Sequence, residues 1–146
     1  MMQRKPANAG LTLIELMVVL SIVAILSAIA YPSYLDYMRR GRRTDGQAAL
    51  MAVVAAHASW RVTHAAYTTT LGAGGLDLPA SSDDGFYTIA ITQADATSYS
   101  ATATPVGAQA GDSACSPLRV DMNLQSDRAA GRPGQAIKRP EACWKN

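Results

Sequence analysis

The apolar run "LTLIELMVVLSIVAILSAIAYPSY", Leu11 to Tyr34, constrains this chain more than any other feature. As an α-helix it is long enough to span the hydrocarbon of a bilayer. Its only charge is Glu15. A carboxylate in hydrocarbon is costly, so it must keep a proton, find a partner or serve a function. A secretory signal with "AIA" at Ala28–Ala30 as its cleavage site explains neither Glu15 nor the length of the run. An ordinary signal anchor leaves Glu15 without a partner.

Helical spacing continues beyond the run. Leu50, Val53, Val54, His57 and Trp60 recur at steps of three and four, so one face of a helix stays apolar. Pro32 removes a backbone donor and is expected to kink or loosen the helix without ending it. Gly41 and Gly46 each lower helix propensity by about 1 kcal/mol against Ala, which predicts a soft middle. The expectation is one helix from about Leu11 to about His64, apolar in front and amphipathic behind.

Period-two alternation then takes over after the Gly- and Ser-rich stretch "YTTTLGAGGLDLPASSDDG". In "YTIAIT", Tyr87, Ile89 and Ile91 share a face; in "SYSATAT", Tyr99, Ala101 and Ala103 do. "LRVDMNLQ" sets Leu118, Val120, Met122 and Leu124 inward against Arg119, Asp121, Asn123 and Gln125 outward. Three such segments predict an antiparallel meander whose dry face the amphipathic helix covers. The tail after Gln125 has no period and reads as irregular. The fold class is therefore α+β, a long amino-terminal helix packed on a small antiparallel meander.

Charge and cysteines narrow the setting. The chain has 146 residues, 49% hydrophobic and 16% charged, with a formal charge of +2, too little for bulk attraction to nucleic acid. Between Val62 and Leu118 there is no Lys or Arg, but Asp77, Asp83, Asp84, Asp95 and Asp112 occur. From Arg119 onward basic residues prevail, so an acidic and a basic region could meet between neighbouring copies. The ordinary alternative is two solvated loops, because surface charge pairs are individually weak. Cys115 and Cys143 stand alone, with no metal-like spacing. For an exported head the simplest expectation is one disulfide closing a loop of about 29 residues, worth about 3–4 kcal/mol, whereas two free buried thiols of a cytosolic protein do not suit the apolar segment.

Other chemistry finds no support in the sequence. His57 and His64 share a helix face but have no Asp, Glu or Cys at ligand spacing. No nucleophile elbow is present, and "GAGG" at Gly72–Gly75 lacks phosphate-loop context and reads as a flexible link. Asp83, Asp84 and Gly85 read as a turn rather than a calcium loop. No catalytic, metal-binding or cofactor-binding residue is assigned.

"GLTLIELMVVLSIVAILSAIAYPSY" resembles the leader junction and amino-terminal helix of type IV pilins and their type II secretion relatives. The match covers about Gly10 to Tyr37, and Leu11 stands where the family usually has Phe. The resemblance implies a leader, residues 1–10, cut by a prepilin peptidase between Gly10 and Leu11, with N-methylation of Leu11. It implies a membrane or filament-core helix over residues 11–34 and a periplasmic or extracellular head over residues 35–146. Thr12, Glu15 and Pro32 become assembly residues, with Glu15 meeting the terminal amine of Leu11 on an adjacent subunit. The implied partners are other pilins, the peptidase and methylase, an inner-membrane assembly platform and, before assembly, the lipid bilayer. Arg39, Arg40, Arg42 and Arg43 outnumber Arg4 and Lys5, which by the positive-inside rule alone favours the opposite orientation. The peptidase motif and the cysteine pair outweigh it, and the arginines are expected to meet headgroups or neighbouring acids.

The head, the "YTTTLGAGGLDLP" loop and the terminal "ACWKN" look most similar to minor pilins of type IVa pili. A type II secretion pseudopilin and a lone membrane-anchored periplasmic binding domain are the alternatives. Some pilins serve DNA uptake. Arg128, Arg132, Lys138, Arg139 and Trp144 are residue types suited to DNA, though such loops are also common as plain solvated surface.

Overall fold

A computed structural model of the chain describes residues 11–124 and 136–144. Helix α1 runs Leu13–Thr63. Four strands follow, β1 (Tyr87–Ala94), β2 (Ser98–Pro105), β3 (Leu118–Asn123) and β4 (Ile137–Arg139). The chain divides into two compact units, Met1–Met38 and Arg39–Asn146. Residues 1–10, the expected leader, and Gln125 lie outside the described residues.

In the first unit α1 begins two residues after Leu11 and continues through Pro32. Pro32 lacks the N–H that would bond the carbonyl of Ala28, so the backbone ladder loses one rung there. Apolar side chains cover this half on all sides: Leu13 is 78% exposed, Val19 53% and Ile29 69%. A helix that is apolar all round is suited to lipid or to a bundle of like helices.

In the second unit the strands form one antiparallel sheet in the order β1-β2-β3-β4. The predicted alternation holds: Tyr87, Ile89, Ile91, Tyr99, Ala101, Ala103, Leu118, Val120 and Met122 are buried. The register slips between Ile91 and Gln93, where β1 carries an extra residue opposite β2. From α1, Leu50 and Val53 join this core, and Leu76 adds to it from the loop. Each fully buried Leu, Val or Ile contributes about 1.5–3 kcal/mol. Val54 and Trp60 are only half-buried, so the inward stripe is narrower than the periodicity predicts. Leu124 is half-buried too and lies beyond the end of β3.

Four expectations are corrected. The tail is not irregular throughout, because Ile137–Arg139 pairs with Asp121–Arg119 as β4 and Glu141–Trp144 forms a 3-10 turn. Three residues ahead of Pro140 carry no periodic signal; the Cys115–Cys143 disulfide holds this segment near the otherwise open edge of β3. "GAGG" is not a flexible link. Gly75 N–H donates to Gly72 O at 3.0 Å, Leu76 N–H to Thr70 O at 3.0 Å and Leu78 N–H to Leu71 O at 2.7 Å. Gly74, at φ +82°, makes the turn that an L side chain resists. Gly46 does not soften the helix: a Cβ there would lie 2.8 Å from Tyr87 Cγ, so the missing side chain lets the Tyr87 ring lie on α1.

The fourth correction concerns charge. Asp112 is not a solvated or tail-facing acid: it is buried and paired to Arg43 in the same head. Arg42 stacks over Phe86 at 4.7 Å. These two arginines serve the head rather than waiting for lipid or another subunit.

Candidate functional site

The predicted assembly residues fall on the exposed front of α1. Glu15 N–H donates to Thr12 Oγ1 at 3.3 Å, and Leu16 N–H to Thr12 O at 3.2 Å, so Thr12 caps the first turn. Thr12 and Glu15 are thus brought together, while Pro32 lies about 25 Å further along the helix. Glu15 makes no ion pair among the described residues. Its carboxylate is exposed beside Leu11, Leu13 and Ile14, each more than 70% exposed. The helix is long and apolar enough to cross a membrane. Gly10, the other half of the expected cleavage junction, lies outside the described residues.

The predicted basic residues of the tail gather at the β4 edge as far as they are described. Lys138 Nζ lies 5.1 Å over the Trp144 ring, and Trp144 Nε1–H donates to Arg139 O at 3.2 Å. Arg119 Nε and Arg139 Nε approach the Asp121 carboxylate at 2.6 and 3.4 Å, and Ser100 Oγ–H donates to it at 2.6 Å. Cross-strand pairing of Arg119 with Arg139 places two guanidiniums on one carboxylate. Arg128, Arg132 and Lys145 lie outside the described residues.

Two buried arrangements escaped the sequence reading. In the first, Arg43 Nε and Nη2 donate to the two oxygens of Asp112 at 2.6 and 2.7 Å. Gln109, fully buried, donates through Nε2 to Arg39 O and to Asp112 Oδ2, and lies 3.1 Å from the Tyr87 hydroxyl. This ties the segment carrying the Gly107–Gln109 and Ser113–Cys115 turns to α1. Asp45 does similar work nearby, accepting from Asp84 N–H and Phe86 N–H. A pair 69 positions apart leaves no spacing signal.

In the second, His57 sits fully buried between aromatic rings, stacked on Tyr99 at 4.1 Å and edge-on to Tyr67 at 5.2 Å. Neither ring nitrogen has a hydrogen-bond partner. Burial therefore lowers its pKa from 6.5 to about 4, and it also raises Tyr99 above the usual phenol range. His64 turns instead to the surface and stacks on Trp60 at 3.6 Å, while Arg61 lies 5.0 Å over Tyr67. Among the described residues no group of three or more His, Cys, Asp or Glu could hold a metal ion.

A long helix with an exposed apolar front, and a disulfide-closed antiparallel head whose sheet the amphipathic half of that helix packs against, define the pilin class. A family model described as "Type IV minor pilin ComP, DNA uptake sequence receptor" matches residues 32–119, and a "Prokaryotic N-terminal methylation motif" matches residues 5–31. The chain belongs to the ComP family of type IV minor pilins. It is 40% identical over 55 residues to the type IV major pilin protein PilA of Myxococcus xanthus, covering 38% of this chain and 25% of that protein. It is 61% identical over 36 residues to prepilin peptidase-dependent protein D of Escherichia coli, 25% of each chain. Fimbrial protein EcpC of Eikenella corrodens shares 49% identity over 41 residues, 28% of this chain and 27% of that protein. The chain thus spans about a quarter of the length of these curated relatives. The methylation motif and apolar helix fit membrane anchoring and a pilus.

Proposed function

We propose that this chain is a non-enzymatic minor subunit of a type IV pilus, held in the inner membrane before assembly and carried outside the cell after it. Residues 1–10 are the leader, cut at Gly10–Leu11; residues 11–34 are the membrane and filament-core helix; residues 35–146 are the exported head. The carrying observation is Glu15, the lone carboxylate on an all-round apolar helix, four residues after the expected new amino terminus. In a helical bundle it gains a positive partner, the methylated amine of Leu11 on a neighbour, at one axial offset only. Thr12 caps the first turn and Pro32 leaves the helix adjustable further along. Mass spectrometry of the mature chain tests this: methylated Leu11 at the amino terminus and recovery in sheared filaments are expected. An intact leader, or a cut after Ala30, overturns it.

The family match also supports DNA as a ligand of the head. Within its span, His64 stacks on the half-buried Trp60 and Arg61 lies over Tyr67, which gathers basic and aromatic groups at the end of α1. Such groups can stack on bases and meet phosphates. Arg139, Lys138 and Trp144 lie beyond that span. Salt-sensitive retention of duplex DNA by the full chain, lost on Arg61→Ala and kept on Lys138→Ala, is the expected result. The reverse pattern would move the contact to the β4 edge, and no retention at low salt removes it.

A further inference from the structure

A short strap leaves the end of α1 and returns the chain to the head. Residues 64–66 are exposed and Tyr67 is half-buried. Trp60 Nε1–H donates to Ala66 O at 3.0 Å, Arg61 Nη1–H to His64 O at 2.8 Å and Tyr67 N–H to Asp95 O at 2.9 Å. Of these bonds, the last alone ties the strap to the β1–β2 hairpin. The Tyr67 ring packs on the aromatic pair behind it, 5.2 Å from the His57 ring and 4.8 Å from that of Tyr99. Three hydrogen bonds and these ring contacts hold four ordered residues, which places the strap at the low end of local stability.

What the strap packs on is polar and unsatisfied. His57 is 0% exposed and Tyr99 2%, and among the described residues neither His57 nitrogen nor the Tyr99 hydroxyl has a hydrogen-bond partner. Buried groups of this kind are uncommon, because each has given up hydration for nothing in return. The surroundings supply no counter-charge either. From α1, Arg61 lies 5.0 Å over Tyr67 and opposes a second positive charge, while His64 turns away onto Trp60. From β2, burial keeps the Tyr99 phenol protonated, and its β3 register partner is the apolar Met122. Asp95 spends its carboxylate on its own turn, accepting from Ser98 Oγ–H at 2.6 Å and from the Thr97 and Ser98 amides at 2.6 and 2.7 Å. Those bonds hold its carboxyl down at about 2, so it does not titrate in mild acid.

We propose that residues 64–67 are an acid-released strap: protonation of His57 lifts Tyr67 off the aromatic cluster and admits water to the imidazolium, while the sheet stays folded. A proton on the buried ring meets neither a carboxylate nor an acceptor, so the shut state disfavours it and the open state does not. Opening also hydrates the Tyr99 hydroxyl. The sheet does not follow, because its core of Leu50, Val53, Tyr87, Leu118 and Val120 is built from other contacts. Trp60 and Arg61 are bonded to the strap, so its release rearranges the end of α1, the surface put forward for DNA. The device itself needs neither DNA nor a filament.

Amide hydrogen exchange of the full chain in detergent micelles, corrected for the intrinsic pH dependence of exchange, is the test. Between pH 7 and pH 4 the Tyr67 amide should lose about a hundredfold in protection, as follows for a His of pKa about 4 when shut and 6.5 when hydrated. The amides of β2 and β3 around Ala101 and Val120, paired in mid-sheet, should keep theirs. His57→Phe should remove the pH dependence at Tyr67. Tyr67→Ala changes a half-buried position and gives a second reading: the His57 ring resonances should titrate near 6.5 in this variant and well below that in wild type. Equal loss of protection at Tyr67, Ala101 and Val120 would show the whole head unfolding and overturn the proposal. So would a Tyr67 amide unmoved by acid, acid release retained in His57→Phe, or a His57 titration unchanged by Tyr67→Ala.

Discussion

Arg43 and Asp112 meet as a two-pronged pair, Nε to Oδ2 at 2.6 Å and Nη2 to Oδ1 at 2.7 Å, across 69 positions of sequence. The pair anchors the segment between β2 and β3 on the helix, and the Asp112 side chain is only 3% exposed. Such a geometry fixes position more surely than it adds stability, because both charges lose water on burial. Removing one partner is worse than removing both. Asp112→Ala should lower unfolding free energy by about 3 kcal/mol, whereas Arg43→Met with Asp112→Leu should cost clearly less. Denaturant titration of the purified protein measures both.

The two glycines of α1 should answer differently to the same change. At Gly41 a new Cβ meets nothing within 4 Å, so Gly41→Ala should stabilise by up to about 1 kcal/mol through helix propensity. At Gly46 the Cβ would press on the Tyr87 ring, and overpacking of about 1–3 kcal/mol outweighs the same gain. Thermal melting of the two variants side by side checks the opposite signs.

His57 makes head stability depend on pH. Its folded pKa is lowered from 6.5 to about 4 by burial, so the unfolded chain binds the proton first. Stability is therefore full above pH 6.5 and falls as pH drops towards 4, by at most about 3 kcal/mol. Phe in place of His57 should flatten this limb. Unfolding curves at pH 7, 5.5 and 4 compare the two proteins, and equal slopes would remove His57 as the cause.

Cys115→Ser should lower stability by about 2–4 kcal/mol and loosen the segment that carries β4, since the bond holds Cys143 beside the Ser113–Cys115 turn. Limited proteolysis should cut this variant faster after the end of β3, while leader processing stays unchanged.

Glu15→Ala should leave membrane insertion intact, because removing a charge eases burial in lipid. Its recovery in sheared filaments should drop severalfold, quantified against other pilins in the same preparation. Glu15→Gln should behave like Ala if charge matters, and like wild type if hydrogen bonding suffices.

The sequence by itself determined the elements whose signal is local and periodic. An unbroken apolar run with Glu15 near its start, a helical stripe through Leu50, Val53 and His57, and alternation at Tyr87–Ile91 and Leu118–Met122 each follow from what one face of an element must bury. Only the tertiary structure decided the rest. Which acid Arg43 takes, why Gly46 must lack a side chain, where His57 loses water and how three unpatterned residues become β4 all depend on surfaces far apart in sequence. Such contacts are selected by the packing of whole elements, and packing leaves no fixed spacing in the chain.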